Sequence, residues 1–246
     1  MASQPPPPAP HDLDGARREW MRQAACVAGT WAASGVVPAV AGPVQQHPRA
    51  LLVDARGDPL AARQLKAREA YLFNYPFLAS PVFLLELGQE ARGAELLTGD
   101  KQAYAAPGGV GPTRSIVAFS AICAHKLMYP TPALSFIGLR AGHGDEPPQV
   151  IHCCGDNSRY DPGQGARVLG GPAPQPLAAV LLEWDERSDR LHAVGVRGGE
   201  MFAAFFDKYA FKLQTELGRR ARDVVAQTTA VLPARAYSRQ WQQCRV

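Results

Sequence analysis

Two short segments of the chain carry residues that bind metals. Cys123 and His125 are separated by one residue, and Cys153 and Asp156 are separated by two. Each segment follows an apolar run of strand length. When a strand ends in a loop that offers two such ligands, a second loop of the same kind is able to face it and enclose a metal centre. The sequence therefore predicts a metal site built by two loops.

These segments resemble the Rieske family of 2Fe–2S proteins. The family consensus has Cys-x-His in one loop and Cys-x-x-His-Gly-Ser-x-Tyr-Asp in the other, with Gly-Pro-Ala-Pro further on. Residues 158–161, Ser-Arg-Tyr-Asp, match the end of the second loop, and residues 170–177, Gly-Gly-Pro-Ala-Pro-Gln-Pro-Leu, match the proline loop. The resemblance implies a 2Fe–2S cluster with four ligands and two hydrogen-bond donors to its sulfur. The implied ligands are Cys123, His125, Cys153 and Asp156, and the implied donors are Ser158 and Tyr160.

The chain departs from the family pattern in both loops. Met128 and Gly155 stand where classical members have a disulfide between the loops, so no bridge is expected there. Cys154 stands where the family usually has Pro. It is either a spare thiol or an alternative ligand in a loop shifted by one residue, and the register of Ser158 favours Cys153 as the ligand.

Asp156 occupies a position that the family gives to His. A carboxylate is a harder ligand than imidazole and adds negative charge, so a cluster with this ligand is expected to have a lower reduction potential. His125 would then be the only imidazole whose proton follows the electron. Two alternatives stay open: a loop that has lost its cluster and become a turn capped by Asp156, Asn157 and Ser158, or a zinc site of two Cys, one His and one Asp.

The rest of the chain indicates the elements that position these loops. With 22 Pro and 23 Gly, it breaks into short apolar runs bounded by turn residues. We predict an all-β fold, a Rieske-like antiparallel β sandwich over residues 48–198, with cluster-binding loops at 121–130 and 152–176. Large apolar residues at three- and four-residue intervals after residue 199 predict a helical C-terminal extension over 199–246. The predicted strands are 50–53, 70–75, 82–87, 115–119, 149–152, 178–184 and 191–196.

We interpret the N-terminal region as a targeting signal. Residues 1–16 are Pro-rich and polar, and are predicted to be disordered. Residues 17–41 begin with Arg17-Arg18 and continue in an uncharged stretch over 23–41, which resembles a twin-arginine export signal. That pathway carries folded proteins, so it agrees with a cofactor inserted before export. A retained stretch of this length would span a membrane and leave the protein anchored on the periplasmic side. A buried helix is the alternative.

Charge and motifs narrow the function classes. The net charge of +4 is spread along the chain without basic runs, so no nucleic-acid partner is expected. No Ser-His-Asp arrangement or phosphate loop is visible. We therefore expect a non-catalytic electron-transfer subunit of a respiratory or periplasmic complex, whose partner is a larger redox subunit or a cytochrome. The alternative is a structural subunit that keeps the fold without iron. Cys26 and Cys244 are expected to be free thiols or lipid-facing residues, and His152 is expected to point away from the loop interior.

Overall fold

The computed structural model describes residues 44–198 and 201–244. The predicted export signal and the predicted disordered N-terminus lie outside these residues. Within the described part, no helix is long and apolar enough to cross a membrane. The strands are β1 (Gln45–Val53), β2 (Ala70–Asn74), β3 (Pro81–Glu86), β4 (Ala94–Leu97), β5 (Ala103–Ala106), β6 (Ile116–Ser120), β7 (Leu134–Ser135), β8 (Ile137–Ala141), β9 (Gln149–Cys153), β10 (Ser158–Asp161), β11 (Arg167–Gly170), β12 (Ala179–Asp185), β13 (Arg190–Arg197), β14 (Gln227–Ala230), β15 (Leu232–Pro233) and β16 (Gln240–Trp241). The α-helices are α1 (Met201–Lys208), α2 (Ala210–Leu217) and α3 (Ala234–Tyr237), and 3-10 turns cover Ala62–Gln64, Pro162–Gln164 and Gly218–Arg222.

Eight strands form one strongly curved sheet in the order β14-β1-β13-β12-β6-β3-β2-β15. Its two edge strands, β14 and β15, are consecutive in the chain and are separated only by Val231. The hydroxyl of Thr229 on β14 also donates to the carbonyl of Asn74 on β2 at 2.9 Å. Because one short segment supplies both edges, the sheet curls round almost to a closed barrel.

The central strands of this sheet are continuous apolar runs. Every residue of β6 is buried, and so is every residue of β3 except its last, Glu86. Such runs are expected for strands covered on both faces, whereas a strand with one wet face alternates apolar and polar residues. β3 and β6 pair with each other in register, with Phe83 opposite Phe119. The first ligand loop therefore begins at the end of β6, a strand that is buried in the core.

A smaller sheet of four antiparallel strands, in the order β11-β10-β9-β8, carries the second ligand loop. β9 is buried along its whole length, and its last residue is Cys153. The prediction of an all-β fold is confirmed, and each of the seven predicted strands corresponds to a strand of the structure. The strands that were not predicted are two to five residues long, too short for a pattern of alternation to stand out.

The region after residue 200 begins with the predicted helices. α1 buries Met201, Phe202, Phe205 and Phe206, and α2 buries Leu213. The ring of Phe205 lies 5.0 Å from that of Tyr129, in the loop after β6. The chain then pairs with earlier strands as β14, β15 and β16, which the sequence did not predict. The helices are thus held against the first ligand loop.

Candidate metal centre

The first ligand loop leaves β6 and turns back on itself immediately. The amide of Cys123 donates to the carbonyl of Met128 at 2.8 Å, and the amide of Leu127 donates to the carbonyl of Cys123 at 2.9 Å. Leu127 closes this turn with a φ of 56°, which is uncommon for a residue other than glycine. Cys123 is completely buried. The backbone hydrogen bonds of the turn therefore fix the position of Cys123 and limit where its thiol can lie.

The second ligand loop is the tip of the hairpin between β9 and β10. Cys153 pairs with Ser158 across the hairpin, and its carbonyl accepts the amide of Asn157 at 2.8 Å. Asn157 has a φ of 63°, and Asn is among the residues that tolerate this conformation. The amide of Ser158 donates to Asp156 Oδ1 at 2.9 Å. The tight turn therefore aims both Cys153 and the Asp156 carboxylate toward the first loop.

Three ligand atoms converge between the loops. The sulfurs of Cys123 and Cys153 and a carboxylate oxygen of Asp156 all lie within 4.8 Å of one another. Cys123 Sγ is 3.1 Å from Asp156 Oδ2, and His125 Nδ1 is 3.1 Å from that same oxygen. The side chain of Asp156 is 1% exposed and that of His125 is 39% exposed. We call Cys123 and Cys153 the inner pair, and His125 and Asp156 the outer pair.

Tyr160 contacts the inner pair at Cys123 through its hydroxyl group. Its hydroxyl accepts the amide of Ala124 at 3.2 Å and lies 3.5 Å from Cys123 Sγ. The neighbouring hydroxyl of Ser158 is buried and has no hydrogen-bond partner among the described residues. Because a buried hydroxyl without a partner costs about 1–3 kcal/mol, Ser158 Oγ is a donor ready for an acceptor that the protein itself does not provide.

The two thiols and the Asp156 carboxylate have pKa values that are shifted in different directions. The hydrogen bond from the Cys153 thiol, followed by that from Tyr160, lowers the pKa of Cys123. The same hydrogen bond, together with burial, raises the pKa of Cys153. Burial acts to raise the pKa of Asp156, but hydrogen bonds from the Ser158 amide and the Cys123 thiol outweigh it and lower this pKa. The pocket therefore stabilises negative charge on Cys123 and Asp156, which a bound cation would neutralise.

These residues fit an iron–sulfur cluster. Thiolate sulfur is the preferred ligand of such clusters, and imidazole replaces it on one iron of Rieske centres. The inner pair supplies two sulfurs, the outer pair supplies one nitrogen and one oxygen, and Ser158 Oγ lacks an acceptor. The same four groups are also an acceptable tetrahedral set for zinc.

The two ligand loops touch directly where a disulfide is absent. A Cβ on Gly155 would lie 2.0 Å from Met128 Sδ, so any other residue there would have to displace the thioether. Gly171, in the predicted proline loop, has a φ of +90°, and a Cβ there would lie 2.4 Å from the carbonyl oxygen of Asn157. Both glycines let a neighbouring segment press against the second ligand loop. The loops are therefore packed together without a covalent link between them.

A disulfide instead joins the second ligand loop to the C-terminal tail. Cys154 is bonded to Cys244, 90 residues further along the chain. The alternative that Cys154 is a ligand or a spare thiol is therefore wrong, and so is the expectation that Cys244 is a free thiol. Alternation along the hairpin turns Cys154 away from Cys153 and toward the tail. Cys153 is the cysteine of this loop that lies in the site.

A polar network behind the second ligand loop was not identified from the sequence. Arg140 Nε donates to His152 Nδ1 at 2.8 Å, and His152 Nε2 bonds to Asn157 Oδ1 at 2.7 Å. Glu146 accepts from Arg140 at 2.7 Å and from Arg159 at 2.8 Å. His152 thus contacts Asn157 of the second ligand loop, and it is not among the residues that converge at the site. The residues of this network lie within residues 140–159 but form no motif, and the pairing of β8, β9 and β10 brings them together.

No model of a known protein family matches the chain. Among solved structures, the chain is similar to the soluble domain of the Rieske protein II (soxF) from Sulfolobus acidocaldarius. The two are 29% identical over 61% of this chain and 78% of that chain, with a TM-score of 0.44.

Proposed function

We propose that this chain is an electron-transfer protein that carries a Rieske-type 2Fe–2S cluster. The observation that supports the proposal best is the approach of two loops that bring two thiols and a carboxylate within 4.8 Å of one another. Both loops begin at buried strand ends, so the arrangement does not depend on flexible side chains. The order of the matching motifs along the chain agrees with the same assignment.

In this proposal, Cys123, Cys153, His125 and Asp156 would hold the cluster, the inner pair through sulfur and the outer pair through nitrogen and oxygen. The cluster supplies one-electron oxidation and reduction. Tyr160 Oη, 3.5 Å from Cys123 Sγ, donates a hydrogen bond that stabilises the reduced, more negative state. Ser158 Oγ does the same from its buried, unpartnered position.

The outer pair distinguishes this site from one with two His ligands. Asp156 brings a negative charge where imidazole brings none, and this charge favours the oxidised irons and lowers the reduction potential. His125 is then the one imidazole among the proposed ligands and the more accessible of the outer pair, because its side chain is 39% exposed while that of Asp156 is 1% exposed. Electron transfer at this site is therefore coupled to one imidazole instead of two.

The proposal includes export and a redox partner. The Cys154–Cys244 disulfide supports an oxidising compartment, and Arg17-Arg18 before the uncharged stretch 23–41 supports the twin-arginine route. The protein then works on the periplasmic side, either free or anchored by an uncleaved segment. Its partner is a larger redox subunit or a cytochrome of a respiratory or periplasmic complex.

A cluster-free interaction subunit is the second candidate. The hydrogen bond from the Ser158 amide to Asp156 Oδ1, at 2.9 Å, is that of an Asx turn, and such a turn is stable without metal. This candidate explains Asp156 but leaves the buried thiols of Cys123 and Cys153 and the unpartnered Ser158 hydroxyl without a role.

Metal analysis of the full chain tests the proposal. The protein is expressed in a twin-arginine-competent host, and iron, acid-labile sulfide and zinc are measured on the purified protein. We expect about two irons and two sulfides per chain, a brown colour and an electron paramagnetic resonance signal after reduction. A folded, colourless protein without iron would favour the second candidate. One zinc per chain would replace the cluster with a mononuclear site.

Export is tested separately. The paired variant Arg17→Lys, Arg18→Lys keeps the charge but removes the arginine pair. We expect the wild-type chain in the periplasmic or membrane fraction and the variant in the cytoplasm. Equal distribution of both proteins would show that these arginines do not direct export.

A further inference from the structure

A basic surface lies beside the exposed ligand His125. We call it the basic collar and define it as Lys126, Lys208, Phe211 and Lys212. Lys208 Nζ donates to the carbonyl of Lys126 at 2.5 Å, and Lys212 Nζ lies 5.0 Å from the centre of the Tyr129 ring. Helices α1 and α2 thus place their lysines on the first ligand loop itself, next to the one candidate ligand whose side chain is substantially exposed.

The charge of the collar is largely uncompensated. Lys126 donates to the carbonyl of Gly155 at 3.3 Å, and neither it nor Lys208 forms an ion pair with any residue that the structure describes. Lys212 pairs with Glu216 at 3.9 Å, with both side chains more than 40% exposed. Surface pairs of this kind are weak. The collar therefore presents a positive field to an approaching molecule.

Phe211 adds an exposed apolar side chain to the collar. Its side chain is the most exposed of the large apolar residues in the described chain, at 88%, and it sits on α2 next to Lys212. A single exposed apolar residue is ordinary, but an exposed aromatic residue on the helix that carries Lys212 combines the apolar and charged groups found at interfaces. An electrically complementary partner would bury this ring and pair with the lysines.

We propose that the basic collar docks an acidic surface of the redox partner and brings that partner to His125. The inference rests on the proposed function, because electron transfer requires close approach to the exposed ligand. An acidic protein satisfies both the charge and this requirement. An anionic membrane satisfies the charge alone, since it would cover His125 without providing an electron acceptor.

Oxidation of the reduced protein by small probes tests the field of the collar. One electron passes from the cluster either to ferricyanide, which is anionic, or to tris(phenanthroline)cobalt(III), which is cationic, and the rate is followed by stopped flow. We expect salt to slow the first reaction and to accelerate the second. The variant Lys208→Glu, Lys212→Glu should slow ferricyanide at least about threefold and reverse its salt dependence.

The matched control is Arg187→Glu, in the β12–β13 hairpin at the opposite end of the large sheet, which makes the same change of charge per residue. It should leave both rates within about twofold of the wild type. Equal rates in the wild type and the collar variant, at unchanged iron content, would overturn the collar as an electrostatic docking site. A protein without iron would show no oxidation at all, and that result concerns the proposed function instead.

Binding of a polyanion tests the collar without using the cluster. The anisotropy of a fluorescein-labelled polyglutamate peptide is measured with the full chain, the collar variant, Phe211→Ala and Arg187→Glu. We expect salt-sensitive binding that falls at least about threefold in the collar variant and remains in the Arg187 control. Phe211→Ala should weaken binding less, because polyglutamate has little apolar surface. Binding to phosphatidylglycerol vesicles without binding to polyglutamate would overturn the proposal in favour of a membrane.

Discussion

The inner and outer pairs of the candidate site are held by different kinds of structure. Cys123 and Cys153 are completely buried, and Cys153 belongs to two strand ladders at once, opposite Ser158 and Ile137. His125 and Asp156 lie on the loops, where side-chain hydrogen bonds orient them. Backbone pairing fixes the first pair more firmly than side-chain contacts fix the second. The fold therefore fixes the positions of the two candidate sulfur ligands more firmly than those of the two outer candidates.

Removing an inner ligand should have the largest effect. Cys153→Ala keeps a small apolar residue in the buried position, so we expect the fold to persist and iron to fall from about two per chain to background. Iron analysis and circular dichroism measure the two outcomes. Cys244→Ala is the matched control, because it removes a cysteine outside the site and should retain iron. Iron retained in Cys153→Ala would show that the sulfur ligands are not these two.

Removing the disulfide tests how much support the second ligand loop needs from outside the site. Cys244→Ser opens a loop of 90 residues, and we expect the free energy of unfolding to fall by about 2–4 kcal/mol. Urea denaturation of wild type and variant measures the difference. Addition of a reductant should destabilise the wild type to the level of the variant and leave the variant unchanged. A variant as stable as the wild type would mean that the tail is held by its strand pairing alone.

Exchanging the Asp156 carboxylate for imidazole tests whether this side chain is a cluster ligand. Asp156→His removes one negative charge, so we expect the cluster to remain and its reduction potential to rise by on the order of 100 mV. Protein-film voltammetry measures the potential, and its pH dependence should become steeper because a second imidazole then exchanges a proton. A potential unchanged from that of the wild type would place Asp156 outside the cluster ligands.

The network behind the second ligand loop should have the smallest effect, and that effect should depend on pH. Hydrogen bonds from Arg140, the largest cause, and from the His143 amide and Arg159 lower the pKa of Glu146 to about 2 from its ordinary 4.5. A depressed carboxyl pKa contributes stability that is present above pH 4.5 and is lost as the pH falls toward 2. Glu146→Gln should therefore cost about 1–2 kcal/mol at pH 7.

This cost should shrink as the pH falls below about 4 and disappear near pH 2, where the wild-type carboxyl is also protonated. Denaturation of both proteins over that pH range measures it. Glu186→Gln, in the exposed β12–β13 hairpin, is the matched control and should show no such dependence. A constant difference between the Glu146 variant and the wild type would show that the network acts through shape and not through charge.

Much of the fold could be predicted from local patterns. Apolar runs bounded by Gly, Pro and Asp indicated seven of the strands, and the three- and four-residue spacing of Phe202, Phe205 and Phe206 indicated α1. Short strands such as β7, β15 and β16 carry no pattern of their own. They exist because the body of the protein offers them an edge to pair with, so their positions are a property of the tertiary structure.

The sequence by itself determined the identities and the order of the candidate ligands, because Cys123, His125, Cys153 and Asp156 lie in short motifs whose spacing is local. Tertiary structure alone decided that Cys154 bonds to Cys244 and that Glu146 and Arg140 stand behind the loop. It also placed the lysines of α1 and α2 beside His125. The disulfide and the helix contacts join segments far apart in the chain, whereas Arg140 and Glu146 meet at the β8–β9 turn, and no spacing within a motif specifies any of them. The long-range contacts form because the curved sheet and the returning tail bring distant surfaces together.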